Sequence, residues 1–342
     1  MKISKGYLKK IFIGFPVISA IFFLCFSCSI KKEKDISFCT WNLQTFFDST
    51  LNGTEYAEFK KPGVWTEEKY IQRLKRLSKS MLELNSDIFV FEEIENEAVV
   101  QDIANFLAVS SWKIKWRYAC FATNPGSATG CAVFSKFPLS DVKVHSLDIR
   151  TQKSIQPPMR PLLCVCVHSD HSDFFVFANH WKSKSGGQNK SEIWRDWQEL
   201  VLAYNLNEKL LVQPESKILI CGDFNRDASD FVTAFKTDYE NTFLRGILLD
   251  KTSPQVISGK NTGVYSPWFL QNGSFAFESG SYFYKDKWER IDNIFTKNID
   301  VIDFLPQCNG QWADEKNRSR TYRIYNAQGY SDHLPLTCKI KL

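Results

Sequence analysis

The run ILICGDFN, residues 218–225, decides the fold. Four apolar residues lead straight into Gly222, Asp223, Phe224 and Asn225, with no polar alternation before the break. An apolar run of that kind predicts a strand covered on both faces, hence a sheet held between two other layers. Gly222 lets the chain turn sharply, and Asp223 and Asn225, two residues apart, project to the same side. A carboxylate and a carboxamide at a strand's end can hold a water or a phosphoryl oxygen between them. Taken alone, such a segment is equally an ordinary strand followed by an Asx-turn, so its meaning rests on what the other strands carry.

Working outward, several other strand-like runs end on a polar side chain. Residues 36–42 (ISFCTWN) close on Asn42, residues 87–94 (DIFVFEEI) on Glu92 and Glu93, and residues 174–180 (FFVFANH) on His180. Residues 130–134 and 162–167 read as further strands. Residues 289–296, containing Asp292, and 336–342, preceded by Asp332 and His333 in YSDHLPL, read as late ones. A helix is expected over residues 67–84, capped by Thr66 and stopped at Asn85, with Ile71, Leu74, Leu77 and Met81 inward. A second is expected over 96–107. A third spans 191–211 with Ile193, Trp197, Leu200, Tyr204 and Leu211 inward. Residues 182–190 (KSKSGGQNK) form a polar loop, 250–280 an aromatic loop (Tyr265, Trp268, Phe269, Phe275, Phe277), and 307–329 a polar insertion. Helices and strands mix without strict alternation. That predicts an α/β fold of two mainly antiparallel sheets packed face to face with helices outside, not a doubly wound parallel sheet.

The N-terminus reads as a targeting segment. Residues 1–10 carry Lys2, Lys5, Lys9 and Lys10 and no acid, and residues 11–26 are almost wholly apolar, as in a secretory signal. Leu24 to Cys28 (LCFSC) resembles a loose bacterial lipobox, which would lipidate Cys28 after cleavage; an uncleaved anchor and plain secretion are the alternatives. Residues 29–35 (SIKKEKD) then form a charged tether, and residues 36–342 the working domain, exported and either lipid-anchored to the cell envelope or secreted. The chain's formal net charge is +5; setting aside the first 27 residues with their four lysines leaves about +1. Bulk charge therefore does not announce a nucleic-acid binder, and affinity for a polyanion must come from local clusters or a metal. No Cys/His group has zinc-ligand spacing. Export permits disulfides, Cys120–Cys131 being the easiest local pair, though sequence alone cannot assign them.

Each polar strand end, taken singly, is most simply structural; jointly they bring complementary chemistry to one edge of a sandwich. The order TWN, FEEIEN, NHWKSK, GDFN, WERIDNIF and YSDHLPL resembles the endonuclease/exonuclease/phosphatase superfamily, over nearly all of residues 36–342. The resemblance implies a four-layered α/β sandwich and a divalent-metal-dependent phosphodiesterase. Mg2+ is the expected ion, with Mn2+ or Ca2+ as substitutes. A divalent cation suits such chemistry because negative charge gathers on the phosphoryl oxygens, and magnesium prefers oxygen ligands. Position-matching puts Glu93 first among the ligands, with Asn42 and Asp332 beside it, and Glu92 where a glutamine is common, adding a negative charge. His180 and His333 match the family's two catalytic histidines, Asp292 the aspartate that orients the second, and Asp223 and Asn225 the pair that aligns water and phosphoryl oxygen. No carboxylate partner for His180 is evident.

Lys182, Lys184 and Arg290 are the expected substrate-binding cations. The segment KWERIDN departs from the inositol 5-phosphatase pattern, and His180 departs from the repair-type apurinic enzymes. The run GSYFYKDKWERIDNIF instead looks like secreted and surface bacterial nuclease or phosphatase members of the superfamily. A nuclease acting on DNA or RNA at the envelope is therefore expected, with nucleic acid as substrate, a membrane contact through the lipid anchor, no protein partner implied, and a monomer. The alternative is a sphingomyelinase-like or small phosphoester hydrolase, for which the aromatic loop would be the lipid-reaching element. A non-catalytic adhesin on the same fold is disfavoured by the near-complete set of site residues.

Overall fold

The structure is a computed structural model that describes residues 35–110, 115–147, 155–232, 242–250 and 253–342, and the backbone alone for 242–250 and 253–261. The expected leader, the Cys28 anchor and nearly all of the tether lie outside the described residues. In chain order the elements are β1 (Ile36–Phe46), α1 (Glu67–Leu84), β2 (Ile88–Ile94), α2 (Glu97–Ser110), β3 (Tyr118–Ala122), β4 (Gly130–Ser135) and β5 (Leu139–His145). There follow β6 (Leu162–His168), β7 (Asp173–His180), α3 (Gln188–Val212), β8 (Ile218–Asp223), β9 (Thr242–Asp250) and β10 (Ser253–Val264). The chain ends with β11 (Tyr282–Tyr284), β12 (Lys287–Glu289), β13 (Asp292–Lys297), β14 (Asp300–Pro306) and β15 (Leu336–Lys341).

Two mixed sheets carry the fold. One runs β14-β15-β1-β2-β4-β3 and the other β13-β8-β7-β6-β5. Each holds one parallel pair, β1 with β2 and β7 with β8, and its other neighbours are antiparallel. A parallel neighbour needs a crossover, and α1 and α3 supply one each. Alternation along the strands builds the layers. Phe38, Ile88 and Val90 from the first sheet meet Val176, Ala178, Leu219, Cys221 and Ile294 from the second in the inter-sheet core. The other face of the first sheet packs Cys39, Trp41, Phe89 and Phe91 on Leu74, Leu77, Met81, Val99 and Ile103 of α1 and α2. The other face of the second packs Phe177, Ile218, Ile220 and Phe295 on Leu202, Ala203 and Leu206 of α3. The result is the four-layered sandwich that the resemblance implied.

Helix α1 begins and ends where its capping residues said. Thr66 accepts from the Lys69 amide, and Asn85 takes the left-handed conformation and donates its backbone N–H to Met81. Its inward stripe is Tyr70, Arg73, Leu74, Leu77 and Met81, while Ile71 is exposed. Helix α3 departs further from expectation. Ile193, Tyr204 and Leu211 are exposed, and the buried face is Ser191, Trp194, Arg195, Gln198, Glu199, Leu202, Ala203 and Leu206. Polar groups in the first half of that face are buried because they pair: Arg195 donates to the Lys182 carbonyl at 2.9 Å, Gln198 accepts from the Lys182 amide at 2.7 Å, and Glu199 binds Arg226. An apolarity pattern cannot announce a helix face held by ion pairs. Residues 253–264, expected as loop, pair instead with β9.

All eight described cysteines are free thiols. Cys120 lies opposite Val133 and Cys131 opposite Ala122, so the expected pair sits on a diagonal and no bridge forms. Among the described residues no helix is long and apolar enough to cross a membrane.

Candidate active site

Strand register builds the site. Within the second sheet His180 is the partner of Asp223 across β7 and β8, and Asp292 is the partner of Asp223 across β8 and β13. The three side chains therefore form one row across adjacent strands about 4.8 Å apart. They continue the faces that supply the inter-sheet core: Val176 and Ala178 lead to His180, Leu219 and Cys221 to Asp223, and Ile294 lies beyond Asp292. The first sheet does the same, with Phe38, Thr40, Asn42 and Val90, Glu92 as alternate residues, Asn42 opposite Glu92. At this end of the sandwich the inner faces change from apolar to polar. Gly222 is required here: its φ is 122°, and a Cβ would lie 2.0 Å from the Asn179 carbonyl oxygen.

Irregular backbone then aims individual groups. Gln44, Thr45, Glu93 and Asn225 all adopt positive φ, and the β1–β2 register shifts between Asn42 and Phe46. Buried Arg73 holds the β1 irregularity by donating to the carbonyls of Leu43 (2.6 Å) and Thr45 (2.8 Å). Glu93 accepts from the Thr45 amide, and Asn42 Nδ2 donates to Glu93 at 3.3 Å and to Asp223 at 3.0 Å. Asp223 Oδ1 accepts the Asn225 amide at 2.8 Å, and Asn225 Nδ2 donates to the Trp181 carbonyl at 3.2 Å. The SDH loop is tied onto β1: Ser331 donates to the Asn42 carbonyl at 2.6 Å, and Trp41 Nε1 donates to the His333 carbonyl at 2.9 Å.

The two histidines differ in kind. His333 Nδ1 lies 2.7 Å from Asp292 Oδ2, the pairing the resemblance implied, and its ring leans on Tyr282 with centroids 4.8 Å apart. Burial pulls its pKa down, but the charge and hydrogen bond of Asp292, helped by Asp332 and Asp223, hold the imidazolium well above the usual histidine range. His180 is buried and is held well below that range by burial and by the positive charge of Arg160. Its Nε2 lies 2.7 Å from an Arg160 guanidinium nitrogen, so this ring nitrogen accepts, and it faces Asp223 at 3.6 Å and Glu93 at 3.7 Å. The hydrogen-bond partner of His180 is thus an arginine, with the two carboxylates just beyond hydrogen-bond distance. Arg160 escaped the sequence reading because it precedes β6 without a motif of its own.

Asp223 lies between the rings, 4.0 Å from His333 Nε2, and burial raises its carboxyl above the usual range. Glu92 is fully buried, accepts from the Thr40 hydroxyl at 2.9 Å, and is pushed well above the carboxylate range by burial and then by Asp292. Burial therefore works against the extra negative charge expected from it. Among the expected cations, Lys182 is half-buried beside the site, Lys184 pairs with Glu289 at 2.6 Å, and Arg290 is turned away. Arg290 donates to the carbonyls of Phe277 and Glu278 at 2.7 and 3.0 Å and lies over the Phe275 ring. It holds the aromatic loop together, so its guanidinium is not presented to a substrate.

The donor chemistry suits a divalent cation. Asp223 and Asp292 offer carboxylate oxygens within 4.8 Å of each other, and buried Asp292 Oδ1 has no hydrogen-bond partner; His333 lies in the same cluster but, as an imidazolium paired with Asp292, stands beside the ion and does not ligate it. Glu93 and the half-buried Asp332 add oxygen donors alongside, as a hard ion requires. The tight set differs from the expected one of Glu93, Asn42 and Asp332, because Asn42 directs its amide nitrogen at the carboxylates while its Oδ1 accepts from the Gln44 amide at 2.9 Å.

A two-sheet sandwich with carboxylates, an amide and two unlike histidines at one end defines a phosphoester hydrolase framework. The chain belongs to the Endonuclease/Exonuclease/phosphatase family, whose model matches residues 37–342, and membership implies a hydrolase acting on phosphodiester bonds. Truncated Caenorhabditis elegans TDP2 is similar in fold at 13% identity, covering 90% of this chain and 98% of that one with a TM-score of 0.54. The human nocturnin catalytic domain with bound sulfate is similar at 15% identity, 90% and 93% coverage and a TM-score of 0.53. D. rerio TDP2 complexed with a single-strand DNA product is similar at 15% identity, 91% and 100% coverage and a TM-score of 0.51. No curated protein matches the chain by sequence.

Proposed function

We propose that this protein is a divalent-metal-dependent nuclease, hydrolysing DNA or RNA at the bacterial cell envelope with Mg2+ as its ion. The observation that carries the reading is Asp223 held between a cationic histidine and a neutral one, 4.0 and 3.6 Å away. A bound cation would neutralise charge gathering on a phosphoryl oxygen. The protein's own groups supply the rest. Asp223, fixed by the Asn225 amide, is placed to orient and deprotonate a water. His333, held against Asp292, presents a proton at Nε2 to an oxygen that becomes anionic. Arg160 adds a fixed positive charge at His180, where a phosphate oxygen would sit.

The choice of nucleic acid is supported by the neighbour that carries a DNA product and by exposed aromatic surface beside His333. Tyr284 is about half exposed and stacks with Tyr282, centroids 6.1 Å apart, offering a face on which a base can lie. A lipid substrate loses its main support, since Trp268 and Phe269 of the aromatic loop are buried. Envelope location is supported by the basic, then apolar, cysteine-ended leader of residues 1–28.

The test is hydrolysis by the purified chain of plasmid DNA, RNA, sphingomyelin and bis-p-nitrophenyl phosphate, with Mg2+ and with EDTA. Mg2+-dependent cleavage of a nucleic acid, lost in His333→Ala, is the expected result. Cleavage of sphingomyelin alone would overturn the substrate assignment and keep the chemistry. Undiminished cleavage in EDTA would overturn the metal dependence.

A further inference from the structure

The far end of the second sheet carries a separate group of ligand-type side chains. Cys166 and His168 are alternate residues of β6 and so share a face, and His168 is the cross-strand partner of Asp173 on β7. His168 Nδ1 lies 2.9 Å from Asp173 Oδ1, and the Cys166 sulfur joins them with all three donor atoms within 4.8 Å of one another. On the other side, Ser140 of β5 is the partner of Cys166, and its hydroxyl lies 2.7 Å from His168 Nε2. That hydroxyl occupies Nε2 and leaves Nδ1 facing the carboxylate. Metal-binding histidines are oriented in this way by a partner on their second nitrogen.

We propose that Cys166, His168 and Asp173 form a binding site for a borderline divalent cation of the zinc class. Sulfur, imidazole and carboxylate together select such an ion over magnesium, which rejects thiolate. Three protein ligands leave a fourth position for water, and the tetrahedral arrangement needs donor atoms roughly 3.5 Å apart. Asp173 is exposed and the thiol is buried in the floor of the site. His168 is part-exposed, so the ion has an entry path from solvent. Asp173 and His180 stand at opposite ends of the eight-residue β7, roughly 23 Å apart by strand rise, so this site is distinct from the hydrolytic one. An ion here clamps β6 to β7 at their hairpin end. Without one, the same residues amount to a surface His–Asp pair above a cysteine that serves as a small apolar side chain.

The experiment is titration of the metal-free full-length chain with Co2+, whose thiolate charge-transfer absorption reports a cysteine ligand, followed by displacement with Zn2+. One equivalent of thiolate-bound Co2+, bleached by Zn2+, is expected in the wild type. Cys166→Ser should lose the absorption entirely. His168→Gln, at an exposed position that folding tolerates, should bind at least about tenfold more weakly, and Ser140→Ala about tenfold more weakly through loss of the orienting hydroxyl. Mg2+-dependent hydrolysis should be the same in all of these variants, and Zn2+ should raise the melting temperature of the wild type but not of His168→Gln. Absorption that survives in Cys166→Ser would place the thiolate elsewhere and overturn the proposal. So would a wild type that shows no such absorption and no Zn2+-dependent rise in melting temperature.

Discussion

Asp223 faces a ring that favours its proton on one side and a ring that refuses one on the other, and the individual side chains around it make sharp predictions. Replacing His333 by Ala should lower kcat/KM by about 10²–10⁴ and also lower the melting temperature, because buried Asp292 loses the partner of its charge. Asp292→Asn should be nearly as damaging, since it removes the charge that keeps the imidazolium protonated. A second prediction concerns Glu92. Its carboxyl is raised by burial, so the folded state favours the neutral acid more than the unfolded chain does. A carboxyl whose folded pKa is raised contributes stability at low pH that is lost as pH rises through the folded value. Glu92→Gln should therefore fold about as well as the wild type near pH 4 and gain stability relative to it as pH rises above the ordinary glutamate range. Denaturant melts across that range would contradict the neutral-acid reading if the amide were uniformly less stable.

Between elements, two polar contacts position the strands that carry the site. Asp87, at the entry to β2, accepts from the Ser37 amide (2.8 Å) and hydroxyl (2.7 Å) of β1 and from Lys136 (3.0 Å) beyond β4. Burial pushes this carboxyl up, but those donors outweigh it and leave it below the ordinary value. A depressed carboxylate contributes stability above its unfolded pKa that is lost as pH falls through the folded one. Asp87→Asn should thus cost about 1–3 kcal/mol at pH 7, with the gap from wild type narrowing below about pH 4. Urea melts at pH 7 and pH 3 measure it, and an equal gap at both would refute the argument. Arg226, the residue after GDFN, is buried and pairs with Glu192, Asp196 and Glu199 of α3. Glu199 is fully buried, so Glu199→Ala removes the most deeply buried partner of Arg226, leaves a cavity beside it and should cost about 3 kcal/mol. Glu192 is partly exposed, and Glu192→Ala should cost under about 1 kcal/mol. Similar losses from both would mean that the helix is not anchored through the buried pair.

For the whole molecule, the cation that the site suits should couple to folding, because it binds the assembled cluster and not the unfolded chain. Mg2+ should raise the melting temperature of the wild type, and the rise should vanish in Asp223→Asn; a rise of equal size in that variant would place the ion elsewhere. The sequence by itself determined the strand ends and the residues that carry chemistry. Apolar periodicity and the break at Gly-Asp-Phe-Asn are local properties, written into neighbouring residues. It also specified α1, since Thr66 and Asn85 cap their own helix. Tertiary structure alone decided who faces whom. Asn42 meets Asp223 across 181 residues, and His180 finds Arg160 where a carboxylate was sought. Arg290 is spent on holding the aromatic loop, burial weighs against the charge of Glu92, and α3 turns an ion-paired face inward where its apolar spacing pointed elsewhere. The physical reason is the same in each instance. Burial and hydrogen-bond partnership come from the register and packing of segments far apart in the chain, and no local pattern encodes that register.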